Sequence, residues 1–437
     1  MRRIILPLIA GLAIFGLVAC GGGTATPIPS PIASPVQVVP VMATPVPTVA
    51  PTRVPRPNLV RANLAGDAVT LDPAMASDPS SLAIIDEVFV PLVRLDEVTN
   101  QARPGIATTW TTSADGKTIT FKLRGDVPWV KFDAAQQKIV KVQTCPDKNK
   151  QTKDRVVVAK DFEYGILRTL KPATSSPFAP MLSAQILGAD TYFSGDVTDA
   201  TKVSVKALDD TTLEIKLKEP IAFAPVLLGL AAASAQPRWL IEGDACTTRV
   251  GDKWSDLANV QTYGPFVIKA WTRNANLTLV KNSFWFGDAT TPAPALEQVI
   301  FSFLDEANAL KKFENGELEA ASVPSAEFDR VKNDANLGKL LATAPNQCTY
   351  YFGFTTRAKG VDDARVRRAL SLALDRKGLV EGVVKSGQTP ATGFTLPGLN
   401  GAPPAGTNVG LTFDAAQAKQ ILDAYLKEKI LRQTNWI

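Results

Sequence analysis

The sequence predicts a mixed α/β architecture of two domains, and three observations carry that prediction. The chain has 437 residues, of which 45% are apolar and 20% charged, the balance of a protein with a substantial core. Ten of its 32 prolines fall between Thr24 and Pro57, so the folded part begins near Asn58 and is too long for one ordinary core. From there on, segments of two-residue apolar period alternate with segments of three-to-four-residue period.

The N-terminus reads as an export signal. Arg2 and Arg3 precede an uncharged apolar run from Ile4 to Ala19, short for a permanent span. Leu17-Val18-Ala19-Cys20 resembles a bacterial lipobox, which implies cleavage before Cys20 and lipidation of that cysteine. The signal then occupies residues 1–19, and residues 20–57 are the lipidated cysteine and a Pro-rich linker. Held near polyproline II, the stretch from Thr24 to Pro57 reaches on the order of 100 Å.

Individual elements follow in order. Thr118 to Leu123 reads as a strand after the turn at Asp115-Gly116. Val203 to Ala207 and Leu213 to Leu217 flank Asp209-Asp210 as a hairpin, and Phe266 to Trp271 with Leu277 to Lys281 form a second strand pair. A helix spans Asp305 to Asn315, with Gly316 as its stop. Another begins at Asp362 or Asp363, with Val366, Ala369, Leu370, Ala373 and Leu374 as its apolar stripe. Asp375 caps a third, and Phe413 to Lys429 forms a fourth.

Composition also excludes chemistry. The chain has no histidine, which removes histidine-centred proton transfer, Ser-His-Asp and Cys-His nucleophiles, and mixed His/Cys zinc sites. With Cys20 assigned to lipid, Cys145, Cys246 and Cys348 are too far apart in sequence for a metal cluster. Cys145 and Cys246 sit in polar, loop-like stretches and are candidates for a disulfide in an oxidising exterior, whereas Cys348 falls in an apolar strand candidate. No metal or cofactor is expected. Lys and Arg exceed Asp and Glu by 47 to 42, and no basic block interleaved with aromatics points to nucleic acid. The densest basic group, Lys148, Lys150 and Lys153, reads as a solvated insertion.

Several ordered stretches resemble the extracellular solute-binding proteins of ABC importers, family 5, the oligopeptide, dipeptide and nickel-binding group. They are Leu71-Asp72-Pro73, the run Val88 to Asp96, Pro104 to Trp110, Asp115 to Arg124, Tyr263 to Trp271 with Lys281 to Trp285, and Asp363 to Leu370 leading to Asp375-Arg376. Val90 stands where the family commonly has a glutamate. The resemblance implies a two-lobed periplasmic-binding-protein-like fold of class II that encloses a ligand by lobe closure without altering it. Its expected division is lobe I over residues 58–350 and part of lobe II over 351–437. Asp67 and Asp72 would line the first lobe's cleft, Tyr263 and Phe266 would flank a turn near the ligand, and Tyr350 to Phe354 would form a strand crossing between lobes.

The implied function is capture of a peptide or similar solute for import, with ABC permease subunits as partners and a lipid anchor on the outer face of the cytoplasmic membrane. A structural or adhesive surface lipoprotein is the alternative from another class, followed by a glycoside hydrolase, which needs only two carboxylates. The stretch from Phe413 to Leu422 resembles a helix that lies well inside the second lobe of relatives, so the second lobe reads as incomplete. A truncated gene and a genuinely shortened variant both account for that.

Overall fold

The computed structural model describes residues 58–96, 101–287, 291–343, 348–396, 402–404 and 407–434, with side chains as far as residue 430. The signal segment, Cys20 and the Pro-rich linker lie outside the described residues. The rest forms two compact units, divided in sequence at Ser322/Val323. The last strand of the first unit and the segment Gly316–Glu319 after its last helix both return to its own first strand.

In that first unit the strands are β1 (Leu59–Leu64), β2 (Val93–Leu95), β3 (Ala102–Pro104), β4 (Ala107–Thr112), β5 (Thr118–Leu123) and β6 (Val130–Asp133). They continue with β7 (Lys138–Lys141), β8 (Val205–Asp209), β9 (Thr212–Lys216), β10 (Phe266–Thr272), β11 (Asn276–Lys281) and β12 (Gln298–Phe303). One four-stranded sheet runs β1-β12-β11-β10, and a second, wholly antiparallel sheet runs β4-β5-β9-β8. β1 pairs in parallel with β12, Leu59 opposite Gln298, so strands more than two hundred residues apart in sequence close the unit. Glu319 reinforces that closure: its backbone N–H donates to the Arg61 carbonyl at 2.8 Å and its carboxylate takes the Arg61 guanidinium at 2.7 Å.

Local rules explain most of these elements. β5 alternates Ile119, Phe121 and Leu123 inward with Thr120 and Lys122 more exposed, the pattern of a half-buried strand. The helix Pro79–Val88 begins at Asp78, whose carboxylate accepts from the Ser81 N–H, with proline in its first turn. The helix Glu306–Glu314 begins at Asp305, which accepts from the Asn308 N–H, and Gly316 follows its end with φ of +74°.

Two glycines are required by close approach. A β-carbon on Gly165, in the helix Ala159–Leu170, would meet the Ser234 carbonyl oxygen at 2.1 Å. One on Gly264 would meet the Val88 backbone at 2.5 Å. The N–H groups of Tyr263 and Gly264 both donate to the Val88 carbonyl, which fixes the turn before β10 against the end of the helix Pro79–Val88.

The second unit is helical among its described residues. The helix Ala364–Ala373 is capped by Asp363, which accepts from the Arg365 N–H, and it packs against the helix Ala415–Thr434. Its buried stripe is Val366, Ala369 and Leu372, whereas Leu370 is 45% exposed. The expected phase was therefore partly wrong, because the second helix covers a three-residue stripe in which Leu372 takes the place of Leu370 and Ala373. Asp375 accepts from the Gly378 N–H at the start of the short helix Arg376–Gly378, which widens into a π-helical turn, Leu379–Val384. Ala418 and Tyr425 of the last helix are buried, while Leu422 and Leu426 are exposed.

Candidate functional site

The four expected contact residues of the first unit are engaged within it. Asp72 is buried, and both of its carboxylate oxygens take the Arg168 guanidinium, at 2.9 and 2.7 Å. The Trp254 indole N–H adds 3.1 Å to the same carboxylate, and the Ala74 N–H donates to it at 3.0 Å. Arg168 also donates to the Gln236 side-chain oxygen at 2.8 Å. These bonds leave Asp72 a structural anion inside the unit rather than a carboxylate offered to a ligand.

Asp67 accepts from the Trp271 indole at 2.7 Å and from the Asn274 N–H at 2.9 Å, with Arg273 3.6 Å away. It holds the β10–β11 turn, and Arg273 stacks on Trp271 with its guanidinium carbon 3.5 Å from the ring centroid. Tyr263 is fully buried between Phe89, Trp129 and Phe162, at ring-centroid distances of 5.4, 4.7 and 6.4 Å. Its oxygen accepts from the Ala235 N–H, and burial pushes its hydroxyl pKa upward. Phe266 is 7% exposed at the start of β10. Tyr263 and Phe266 are thus core residues, because the turn that carries them is pinned inward by Val88.

Tyr350 and Phe354 lie differently. The stretch 348–355 is irregular rather than a strand, so neither the expected crossing strand nor a strand around Cys348 is present among the described residues. It exposes Tyr350, Tyr351, Phe352 and Phe354. Tyr350 and Phe352 meet edge to face at 5.5 Å, and Tyr351 meets Phe394 at 5.2 Å. The Thr349 hydroxyl donates to the Phe394 carbonyl at 2.8 Å, tying the two segments together. This aromatic surface can cover apolar or aromatic groups of a solute and offers no charged group for chemistry.

Arg365 turns toward its own unit. Its guanidinium bonds Asp363 at 2.8 Å and Glu428 at 2.5 Å and lies 5.2 Å from the Tyr425 ring centroid. Asp362, Asp363, Arg365, Tyr425, Glu428 and Lys429 line an open cleft of about 270 Å³ beside these bonds. Arg365 hydrogen-bonding holds the Asp363 carboxyl down to about 2.

A disulfide joins Cys145 to Cys246, with 5.5 Å between their α-carbons. The one group of potential metal ligands among the described residues is these two cysteines with Asp244. With both sulfurs in the disulfide, Asp244 remains as a single carboxylate, too few donors for a metal site.

Arg168, Trp254 and Asp161 join the buried polar network without standing out in the sequence. A signal existed for two of them: Asp161 and Arg168 are charged residues in a helix whose other inward residues include Phe162, Ile166 and Leu170, and such residues need buried partners. The Asp161 carboxylate accepts from the Trp129 indole at 3.1 Å and from the Val158 N–H at 3.2 Å, capping its helix. Burial pushes its pKa up to about 6 despite these bonds.

The first unit is thus an α/β unit built on a parallel β1–β12 closure, and the exposed aromatic surface belongs to the second. Residues 101–430 match the family described as bacterial extracellular solute-binding proteins, family 5 Middle, and the chain belongs to that family. It is 29% identical over 348 residues to the periplasmic oligopeptide-binding protein OppA of Escherichia coli K12, covering 79% of this chain and 57% of that protein. It is 28% identical over 378 residues to the protein named probable deoxycholate-binding periplasmic protein YgiS of the same organism, covering 86% of this chain and 63% of that one. The solved structure of the Escherichia coli murein tripeptide-binding protein MppA superposes with a TM-score of 0.68 at 27% identity, covering 85% of this chain and 67% of that one. The fold is accordingly the two-lobed fold of the periplasmic binding proteins, and the chain spans about three-fifths of the length of the curated relatives it matches.

Proposed function

We propose that this chain is the solute-binding component of an ABC importer, capturing a peptide or similar solute without altering it and delivering it to permease subunits. The observation that carries the proposal is the family match across residues 101–430. Relatives named for oligopeptides and murein tripeptide make a peptide the leading solute class, and the one named for deoxycholate supports a wider range. Tyr350 and Phe354 are the contact residues retained, because both are exposed. Asp67, Asp72, Tyr263 and Phe266 have a structural role within the first unit.

The site of action in this reading is the outer face of the cytoplasmic membrane, with Cys20 carrying the lipid. Native mass spectrometry of protein purified from its own host tests the capture. A complex heavier than the chain by a peptide mass, displaced by excess of the same peptide, is expected. A chain that never carries or takes up any solute would overturn the reading. Mass analysis of the N-terminal peptide tests the anchor: an acylated Cys20 is expected, and an unmodified Cys20 in a membrane-released protein contradicts it.

A further inference from the structure

Residues 130–155 form two joined hairpins whose charges are unevenly used. β6 and β7 pair antiparallel, with Lys131 opposite Val140 and Asp133 opposite Lys138. This ladder sets Lys131 and Lys138 on one face. The other face carries Phe132, 5.8 Å from the Lys269 ammonium, and Lys141, which lies 5.0 Å from the Phe284 ring. The chain continues through Val142 into a second hairpin, held by the Gln143–Asp154 bridge and by the Thr144 N–H bonded to the Lys153 carbonyl at 2.8 Å. That hairpin exposes Lys148, Lys150 and Lys153.

The acidic residues of these hairpins are occupied. Asp133 accepts from the N–H groups of Ala135 and Gln136, and Asp147 accepts from those of Asn149 and Gln151. Asp154 takes Lys141 at 2.7 Å. Lys131, Lys138, Lys148, Lys150 and Lys153 are all exposed, and none forms an ion pair with a described residue. The base of the second hairpin is fixed by the Cys145–Cys246 disulfide and by the ion pair of Arg155 with Asp244. Arg155 in turn lies over the Trp239 ring at 4.3 Å.

We propose that these two hairpins are a docking surface for the phosphate headgroups of an anionic phospholipid bilayer. Two observations favour lipid over a protein partner. No large apolar side chain between residues 131 and 155 is exposed, so the surface lacks the aromatic and aliphatic anchors on which protein interfaces depend. The free cations are also all lysines, mobile point charges suited to a fluid layer of phosphates, and clusters of four to eight basic residues attract anionic headgroups. This goes beyond solute capture and does not depend on it. The surface would orient a tethered protein against its membrane.

The test compares partition of the full chain onto vesicles of phosphatidylcholine containing about one-third phosphatidylglycerol with partition onto phosphatidylcholine alone. Because the N-terminal anchor is present throughout, the ratio of the two partition coefficients reads the charge-dependent part. The variant K131Q/K138Q/K148Q/K150Q/K153Q is expected to lower that ratio at least about tenfold at low salt, and added salt should erase the difference. A control variant of equal net charge, K171Q/K202Q/K253Q/K332Q/K339Q, should leave it nearly unchanged. If the five-fold variant fails to fold, K148Q/K150Q/K153Q on the exposed hairpin should give an intermediate loss. Equal losses in patch and control variants, or no preference for anionic vesicles in the unsubstituted chain, would overturn the proposal.

Discussion

Arg168 and Asp72 form a two-pronged ion pair between elements 96 residues apart, with side chains only 9% and 5% exposed. Trp254 and Gln236 complete its hydrogen bonding, so the pair is desolvated and satisfied. Such a pair adds little over an apolar replacement, but removing one partner strands a buried charge.

Asp72→Ala should therefore destabilise the first unit by about 3–5 kcal/mol in denaturant unfolding. Replacing both residues, as Asp72→Leu with Arg168→Met, should cost clearly less than Asp72→Ala alone. Equal losses in the single and double variants would show that the ion pair is not what holds these segments.

Asp161 predicts a pH dependence of unusual sign. Its carboxyl is raised from 3.8 to about 6 in the fold by burial. The folded state consequently holds the proton more tightly than the unfolded one, and this residue adds stability as pH falls from about 7 to about 4. The difference between those two values amounts to about 3 kcal/mol. Urea unfolding at pH 7.5, 6 and 4.5 should show Asp161→Asn losing much of that rise; a variant with the pH profile of the parent removes Asp161 as its source.

The Cys145–Cys246 bond closes a loop of 101 residues. Loop entropy puts its contribution at up to about 4.7 kcal/mol. Peptide mapping without reductant should recover the linked pair, and Cys145→Ser with Cys246→Ser should unfold at lower denaturant. Two free thiols in the mapped protein would contradict the structure at this point.

Hydrogen exchange should separate the two units. The first has a continuous core with Phe89, Trp129, Phe162, Trp254 and Tyr263 at its centre. The second exposes Val383, Phe394, Val409, Phe413 and Ile430. Amides of residues 60–322 should outlast those of residues 355–434, because opening free energy follows buried apolar contact. Uniform protection across both would refute this contrast.

What was legible in the sequence was local. Strand β5, the Asp305 and Asp363 caps and the Gly316 stop are set by neighbours within a few residues, and each could be read from the string alone. The family was legible because its motifs recur in order along most of the chain. The Asp72–Arg168 pair and the β1–β12 pairing were not, because they depend on which distant segments meet. Tyr263 shows the cost most clearly: an aromatic beside a glycine-proline turn looks the same whether the turn faces solvent or is drawn inward by Val88. Leu370 and Leu372 differ only in helical phase, and the packing of the helix Ala415–Thr434 decides between them.

Solute capture is read out by the thermal unfolding midpoint of the full chain across a panel of short peptides, oligosaccharides and bile acids. One class, peptides first, should raise the midpoint in proportion to the logarithm of concentration above its Kd. A second expectation within the same measurement is that Tyr350→Ala with Phe354→Ala weakens that shift while leaving the unliganded midpoint nearly unchanged. A midpoint that no solute class moves at any concentration would contradict it.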